Sequence, residues 1–99
     1  MEVRYSEEAD QDIDDAWFSL ETSRPGEGER FHADVRATMA YIELWPRGFQ
    51  IRYSHFRFVP LAIFRYHIIY SIEGEFIVVH RIQHMHQRPL KRYFGTRST

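Results

Sequence analysis

The sequence predicts an α+β domain: two antiparallel helices packed on one face of a mostly antiparallel four-stranded sheet, in the order β-α-α-β-β-β. Three observations lead to this fold class. Apolar residues recur at helical spacing up to residue 44, β-type residues dominate residues 54–84, and four residues separate the two helical patterns. The 99 residues match a single domain, 1–99, and a hydrophobic share of 43% is enough for one core.

The chain opens with a short strand over residues 1–5, in which Val3 and Tyr5 lie on one side. A helix follows from about residue 7 to about residue 22. Ser6 is a good N-cap for it, and two glutamates occupy the first turn, where the helix dipole favours negative charge. The apolar stripe of this helix consists of Ala9, Ile13, Ala16, Trp17 and Leu20.

A break at residues 23–26 contains Pro25 and Gly26, which disfavour a continued helix. The second helix opens with glutamates at positions 27 and 29. Its apolar stripe consists of Phe31, Val35, Met39 and Ile42. It closes at Trp45, because the residue before a proline disfavours helix, and the short linker predicts an antiparallel helical hairpin.

After an irregular stretch that begins at Arg47, strands are predicted over about 54–59, 65–72 and 76–84. Glu73-Gly74 is a hairpin signal, and this turn places His67 opposite His80. The sheet face expected to pack on the helices then carries Tyr66, Ile68, Tyr70, Ile72, Ile77 and Val79. The other face carries Arg65, His67, Ile69, Ser71, Phe76, Val78, His80, Ile82, His84 and His86.

A one-residue bulge would invert this sorting of side chains beyond the bulge. Without a bulge, we expect a core between the two layers that contains Ile13, Trp17, Leu20, Phe31, Val35, Met39, Ile68, Tyr70, Ile77 and Val79. The second face mixes apolar side chains with one arginine and four histidines. This mixture is a poor core, so it predicts a recognition groove.

The composition excludes several classes of protein. Aromatic residues make up 16% and the net charge is -1, which argues against intrinsic disorder. The chain has no cysteine, which excludes disulfides and thiolate metal sites. No apolar run approaches the ~20 residues of a membrane span. The first residues also lack the apolar stretch of a signal peptide, so we expect a cytoplasmic protein without a membrane partner.

The net charge hides an asymmetry between the two halves of the chain. Residues 1–45 hold 12 acidic residues against 4 arginines, a balance of -8. Residues 46–99 hold 2 acidic residues against 9 basic ones, a balance of +7, and the two balances give the net -1. The asymmetry is compatible with an acidic or polyanionic partner for the basic half, and equally with acidic helices that attract a basic sheet.

The six histidines raise the question of a metal site. His80 and His84 are about 13 Å apart on a strand, too far to share an ion, and His84 and His86 are about 7 Å apart. We therefore expect no metal and no cofactor. RNA cleavage needs a base, an acid and cations around the phosphate, which imidazoles supply with help from Arg57, Arg65, Arg81 and Tyr93. The alternative is that the histidines are half-exposed strand residues.

Residues 57–89 carry a family resemblance. The run Phe64-Arg65-Tyr66-His67-Ile68-Ile69-Tyr70 resembles the Phe-Pro-Tyr-Arg-Ile-Ile-Tyr strand of the RelE/ParE superfamily of bacterial toxins. Glu73-Gly74-Glu75 resembles its acidic hairpin turn. Residues 77–89 resemble the last strand of ParE-like members, and Arg57 matches an Arg on the preceding strand. Over the rest of the chain the likeness is looser.

The resemblance implies residue roles for two mechanisms. Members that cleave messenger RNA on the ribosome use a groove and tail in which the positional matches are His67, Arg81, His86 and Tyr93. Gyrase-inhibiting members have lost this catalytic set. Two departures stand out: His67 replaces a phosphate-contacting Arg of many members, and His86-Gln87 replaces an Arg pair of ParE-like members.

The resemblance therefore implies the toxin of a type II toxin-antitoxin module, neutralised by a cognate antitoxin that covers the groove or the sheet edge. The residues expected to line the groove or bind the partner are Arg57, Arg65, His80 and His84. DNA gyrase is the expected target, because the run from Arg81 to His84 is ParE-like. A metal-independent messenger endoribonuclease is the alternative, and a non-toxic binding module that kept the fold is a third reading.

Overall fold

The computed structural model describes residues 1–86. Its helices and strands follow in the order β1 Glu2–Tyr5, α1 Glu7–Ser23, α2 Glu27–Leu44, β2 Ile51–Tyr53, β3 Phe56–Pro60, β4 Tyr66–Glu73 and β5 Phe76–His84. Within these residues the strands form one five-stranded sheet in the order β1-β5-β4-β3-β2. β1 is parallel to β5, and the other neighbours are antiparallel. The predicted fold class is confirmed.

The helices begin and end as the sequence predicts. The Ser6 hydroxyl accepts the backbone N–H of Ala9 at 3.0 Å and caps α1. Between the helices, Gly26 has a φ of 94°, a conformation that glycine adopts at no steric cost. The Glu21 carboxylate accepts the N–H groups of Gly26 and Gly28 at 3.0 Å and joins α1 to the start of α2.

One strand was not predicted. β2 has three residues, too few for a periodic pattern, and it lies at the sheet edge beside β3. Ser54, with a φ of 55°, lies in the turn between them, so β3 begins at Phe56 rather than at residue 54. The sheet of the described residues therefore has one strand more than the sequence predicts.

The core lies between the helices and one sheet face, as expected. Seven of the ten predicted core residues are buried there: Phe31, Val35, Met39, Ile68, Tyr70, Ile77 and Val79. Ile13 and Leu20 are partly buried against this core. Trp17 is also half-buried, and its indole lies so close to Gly28 that any side chain there would clash. No helix in residues 1–86 is long and apolar enough to cross a membrane.

The hairpin register differs from the prediction in two ways. Glu73 pairs with Phe76 and Tyr70 with Val79, so the turn residues are Gly74 and Glu75. This even shift keeps the predicted faces as far as Val79. A β-bulge then follows opposite Ile69 and Tyr70.

Beyond the bulge the sorting of side chains is inverted. Ile82 pairs with Ile68 and belongs to the core, His84 pairs with Tyr66, and His67 pairs with Gln83. The predictions that His67 faces His80 and that Ile82 and His84 lie on the open sheet face are therefore wrong. The physical reason is the extra residue that a bulge inserts into one strand.

Candidate functional site

The end of the β4–β5 hairpin away from its turn gathers several basic side chains. We define this hairpin end by Arg65, Tyr66, His67, Gln83, His84, Met85 and His86. The His84 ring lies 5.1 Å from the Tyr66 ring and is stacked 4.9 Å from the His86 ring. The N–H of His86 donates to His84 Nδ1 at 3.1 Å, and the N–H of Met85 donates to the Arg65 carbonyl at 2.8 Å. These bonds fix the chain as it leaves β5.

His67 lies on the opposite face of the same hairpin end. Its side chain is 8% exposed, and its ring lies edge-on to Phe58 at 5.1 Å. Its strand neighbour Gln83 is 3% exposed. Within residues 1–86, neither His67 Nε2 nor Gln83 Oε1 has a hydrogen-bond partner. The His67 ring thus packs against a member of the apolar cluster formed by Phe56, Phe58 and Ile69.

Burial and nearby positive charges favour the neutral imidazoles of His67 and His84, because both lower the pKa. Burial lowers the pKa of His67, and the positive charges of Arg52 and His84 lower it further. Burial also lowers the pKa of His84, with additional repulsion from His86 and Arg65. A neutral imidazole can accept a proton, which is the chemistry expected of a general base.

Arg81 does not join this cluster. Its guanidinium donates two hydrogen bonds to the carboxylate of Asp12 on α1, from Nε at 2.8 Å and from a terminal nitrogen at 2.9 Å. The side chains of Arg81 and Asp12 are 15% and 14% exposed. This two-bond geometry is the strongest arrangement for an arginine and a carboxylate, and it holds the Arg81 guanidinium against α1.

His80 belongs to a separate polar chain near the turn end of the hairpin. Its Nε2 lies 2.7 Å from the Ser71 hydroxyl, which donates to the Glu73 carboxylate at 2.6 Å. The same carboxylate lies 3.4 Å from His55 Nε2. Burial lowers the pKa of His80, and the Glu73 charge partly offsets this effect. Ser71 is fully buried, so its hydroxyl holds the other groups of this hydrogen-bonded series in place and is not accessible to substrates.

The other predicted site residues lie apart. The Arg57 guanidinium donates to the carbonyl of Phe49 at 2.5 Å and to that of Arg47 at 3.4 Å, which ties down the loop before β2. Arg65 is exposed at the hairpin end. Tyr93 lies outside the described residues. No group of three or more metal-ligating side chains occurs in the part of the chain that the structure describes.

The structure thus places Arg65, His67, His84 and His86 at one end of the hairpin, with His67 on the face opposite His84, and it separates them from Arg57, His80 and Arg81. Sequence reasoning missed Asp12 and Gln83. Asp12 falls outside the apolar stripe of its helix, which marks it as polar but not as an ion-pair partner. Gln83 gains its buried position from the bulge, for which the sequence offers no local signal.

A second surface feature is an apolar cavity of about 460 Å³ between α2 and β3. Its lining residues are Ala37, Thr38, Tyr41, Trp45, Gly48, Phe49, Val59, Pro60 and Ala62. Tyr41 and Trp45 are 59% and 57% exposed at its rim. Exposed aromatic residues around an apolar cavity are typical of protein interaction surfaces.

The lowered histidine pKa values predict a pH-dependent stability. The unfolded chain binds protons near pH 6.5, whereas folded His67 resists protonation because its pKa is lowered. The free energy of unfolding is therefore fully retained above about pH 6.5 and falls as the pH decreases below it. His80 and His84 act in the same direction.

Urea unfolding between pH 5 and 7.5 measures this dependence. We expect His67→Gln to flatten the slope and His32→Gln, a substitution on α2, to serve as the matched control. Equal slopes in the wild type and His67→Gln would show that His67 is protonated without cost in the folded state.

Comparison with known proteins agrees with this architecture. The model of the family described as ParE toxin of type II toxin-antitoxin system, parDE, matches residues 3–89. A chain of the solved chromosomal ParDE TA system from P. aeruginosa superposes with a TM-score of 0.76 at 15% identity. The superposition covers 85% of this chain and 95% of that chain, and at this identity it supports the fold alone. No curated protein matches the sequence. Since the family model spans most of the chain, the protein belongs to the ParE toxins of type II toxin-antitoxin systems, which implies a cognate antitoxin as its partner.

Proposed function

We propose that the chain arrests growth in the cytoplasm by inhibiting DNA gyrase and that its antitoxin neutralises it. The observation that carries the choice of mechanism is the ion pair between Arg81 and Asp12. Cleavage of RNA needs a cation beside the base and the acid at one phosphate. The Arg81 guanidinium is bonded to Asp12 on α1, whereas the His67 ring packs against Phe58. Within the described residues, the positional matches to the ribonuclease site, His67, Arg81 and His86, therefore do not converge on one phosphate.

Ribosome-dependent cleavage of messenger RNA is the second candidate. The observation that favours it is the stacking of His84 on His86 at the hairpin end that also carries Arg65, where burial and then the charges of His86 and Arg65 lower the pKa of His84. In this mechanism His86 serves as acid or base, and Arg65 stabilises the charge on the phosphate. Removing such a group typically lowers the rate by about 100-fold or more.

Expression in cells that lack the antitoxin distinguishes these mechanisms. We expect growth arrest, activation of a DNA-damage reporter and messages that stay intact by primer extension. His67→Ala and His86→Ala should keep the arrest, as should His32→Ala, a matched control on α2. Cut messages together with loss of arrest in His86→Ala would establish the ribonuclease mechanism instead. Continued growth while folded protein accumulates would identify a non-toxic binding module.

A further inference from the structure

The bulge in β5 is bonded along its length by the first helix. The N–H of Ser6 donates to the Val79 carbonyl at 3.0 Å, and its hydroxyl donates to the His80 carbonyl at 2.9 Å. Further along α1, Asp12 Oδ2 accepts the N–H of Ile82 at 2.9 Å. A bulge disrupts the hydrogen-bond ladder between strands. The N-cap residue Ser6 and helix α1 thus supply partners to backbone groups on both sides of the bulge.

Asp12 contributes most to this arrangement. Its carboxylate accepts three hydrogen bonds, two from the Arg81 guanidinium and one from the N–H of Ile82. These contacts join parts of the chain about 70 residues apart and are largely shielded from water. A two-bond ion pair with a fixed backbone contact restricts both the position and the direction of the strand.

The direction of the strand after the bulge determines which side chains lie on each face of the hairpin end. With the bulge, Gln83 lies beside His67, and His84 lies beside Tyr66 on the helix side. A regular strand would exchange these two sides. The arrangement of polar groups at the hairpin end therefore depends on Asp12, although Asp12 lies outside it.

We propose that Asp12 is a positioning residue of the toxin, which acts through Arg81 and the N–H of Ile82 to orient the backbone of the hairpin end and its side chains other than the histidines, such as the exposed Arg65, for contact with the cellular target. Arg81 has the same indirect role and does not touch the target. The inference rests on the toxic activity proposed above but not on which target is attacked.

The test compares alanine variants, their double variant and a variant that keeps the acceptor oxygen at position 12. Asp12→Ala and Arg81→Ala should each require about tenfold more induced toxin for half-maximal growth arrest, because a misplaced contact group weakens target binding and a tenfold change in affinity corresponds to only about 1.4 kcal/mol. The double alanine variant should be as toxic as the less toxic single variant, because both substitutions break the same contact. Asp12→Asn keeps an acceptor oxygen for the N–H of Ile82 and should therefore lose less potency than Asp12→Ala. Asp14→Ala, an exposed acid on the same helix, is the matched control.

Two measurements separate positioning from general destabilisation. Thermal unfolding is used to choose a comparison variant, such as Val35→Ala, whose loss of stability equals that of Asp12→Ala. The amide proton of Ile82, followed by NMR, reports directly on the contact with Asp12. We expect Val35→Ala to stay more toxic than Asp12→Ala at equal stability, with the Ile82 signal shifted only in the Asp12 and Arg81 variants.

Several outcomes overturn the proposal. Full toxicity of Asp12→Ala with a shifted Ile82 signal would show that orientation is irrelevant. A folded Arg81→Ala that is inert, beside an Asp12→Ala that stays active, would mean that Arg81 contacts the target itself. Equal losses of toxicity in Val35→Ala and Asp12→Ala would mean that Asp12 has only a structural role. An inert wild type would defeat the proposed function and the positioning role together, whereas the other outcomes leave the proposed function intact.

Discussion

Replacing Phe31 by alanine is expected to lower the free energy of unfolding by about 3–5 kcal/mol. Phe31 is fully buried in α2, and its ring meets Phe64 edge-on at 5.8 Å and Tyr66 at 5.2 Å. The substitution removes a large apolar side chain and two aromatic contacts together. Domains of this size have a total stability of about 5–15 kcal/mol, so a large share would be lost.

Chemical denaturation measures the effect, with Phe18→Ala as a matched control. Phe18 is 67% exposed on α1, and its removal should change stability by no more than about 0.5 kcal/mol. The same ring that Phe31 contacts, Tyr66, also packs on His84, so the hairpin end should loosen as well. Similar losses in the two variants would contradict the packing of α2 on the start of β4.

Replacing Asp34 by alanine is expected to cost about 3 kcal/mol. Asp34 is 3% exposed, and one of its carboxylate oxygens accepts the N–H groups of Ile63 and Phe64 at 2.9 and 2.8 Å. Both bonds are charge-assisted, and their loss leaves two backbone donors without this partner. The contact fixes the loop that leads into β4.

Asp34→Asn keeps an acceptor oxygen and should lose less stability than Asp34→Ala. Asp14→Ala on α1 removes an exposed carboxylate and should be nearly neutral. If Asp34→Ala unfolds at the same urea concentration as the wild type, the loop before β4 does not depend on this carboxylate.

Local signals predicted the helices and the fold class. Ser6 caps α1, and the apolar stripes of both helices face the sheet. The hairpin turn was predicted within one residue, because Gly74 is suited to positive φ. Such features depend on neighbours in the sequence, so they can be read from the sequence.

The missed features depend on distant residues. The bulge contacts Ser6 and Asp12 on α1, which no pattern within β5 reveals. Arg57 and Arg81 match family positions by residue type, but their directions follow from partners in the loop before β2 and in α1. Sequence therefore predicted which residues the hairpin carries, while their sorting onto two faces required the structure.

Supercoiling of plasmid DNA by purified gyrase tests the central claim most directly. The claim is that toxicity comes from gyrase and does not depend on the histidines of the hairpin end. We expect the wild type to block supercoiling, and the variant with both His67→Ala and His86→Ala to block it at a similar concentration. Supercoiling that continues at a large excess of folded wild-type protein would contradict the claim.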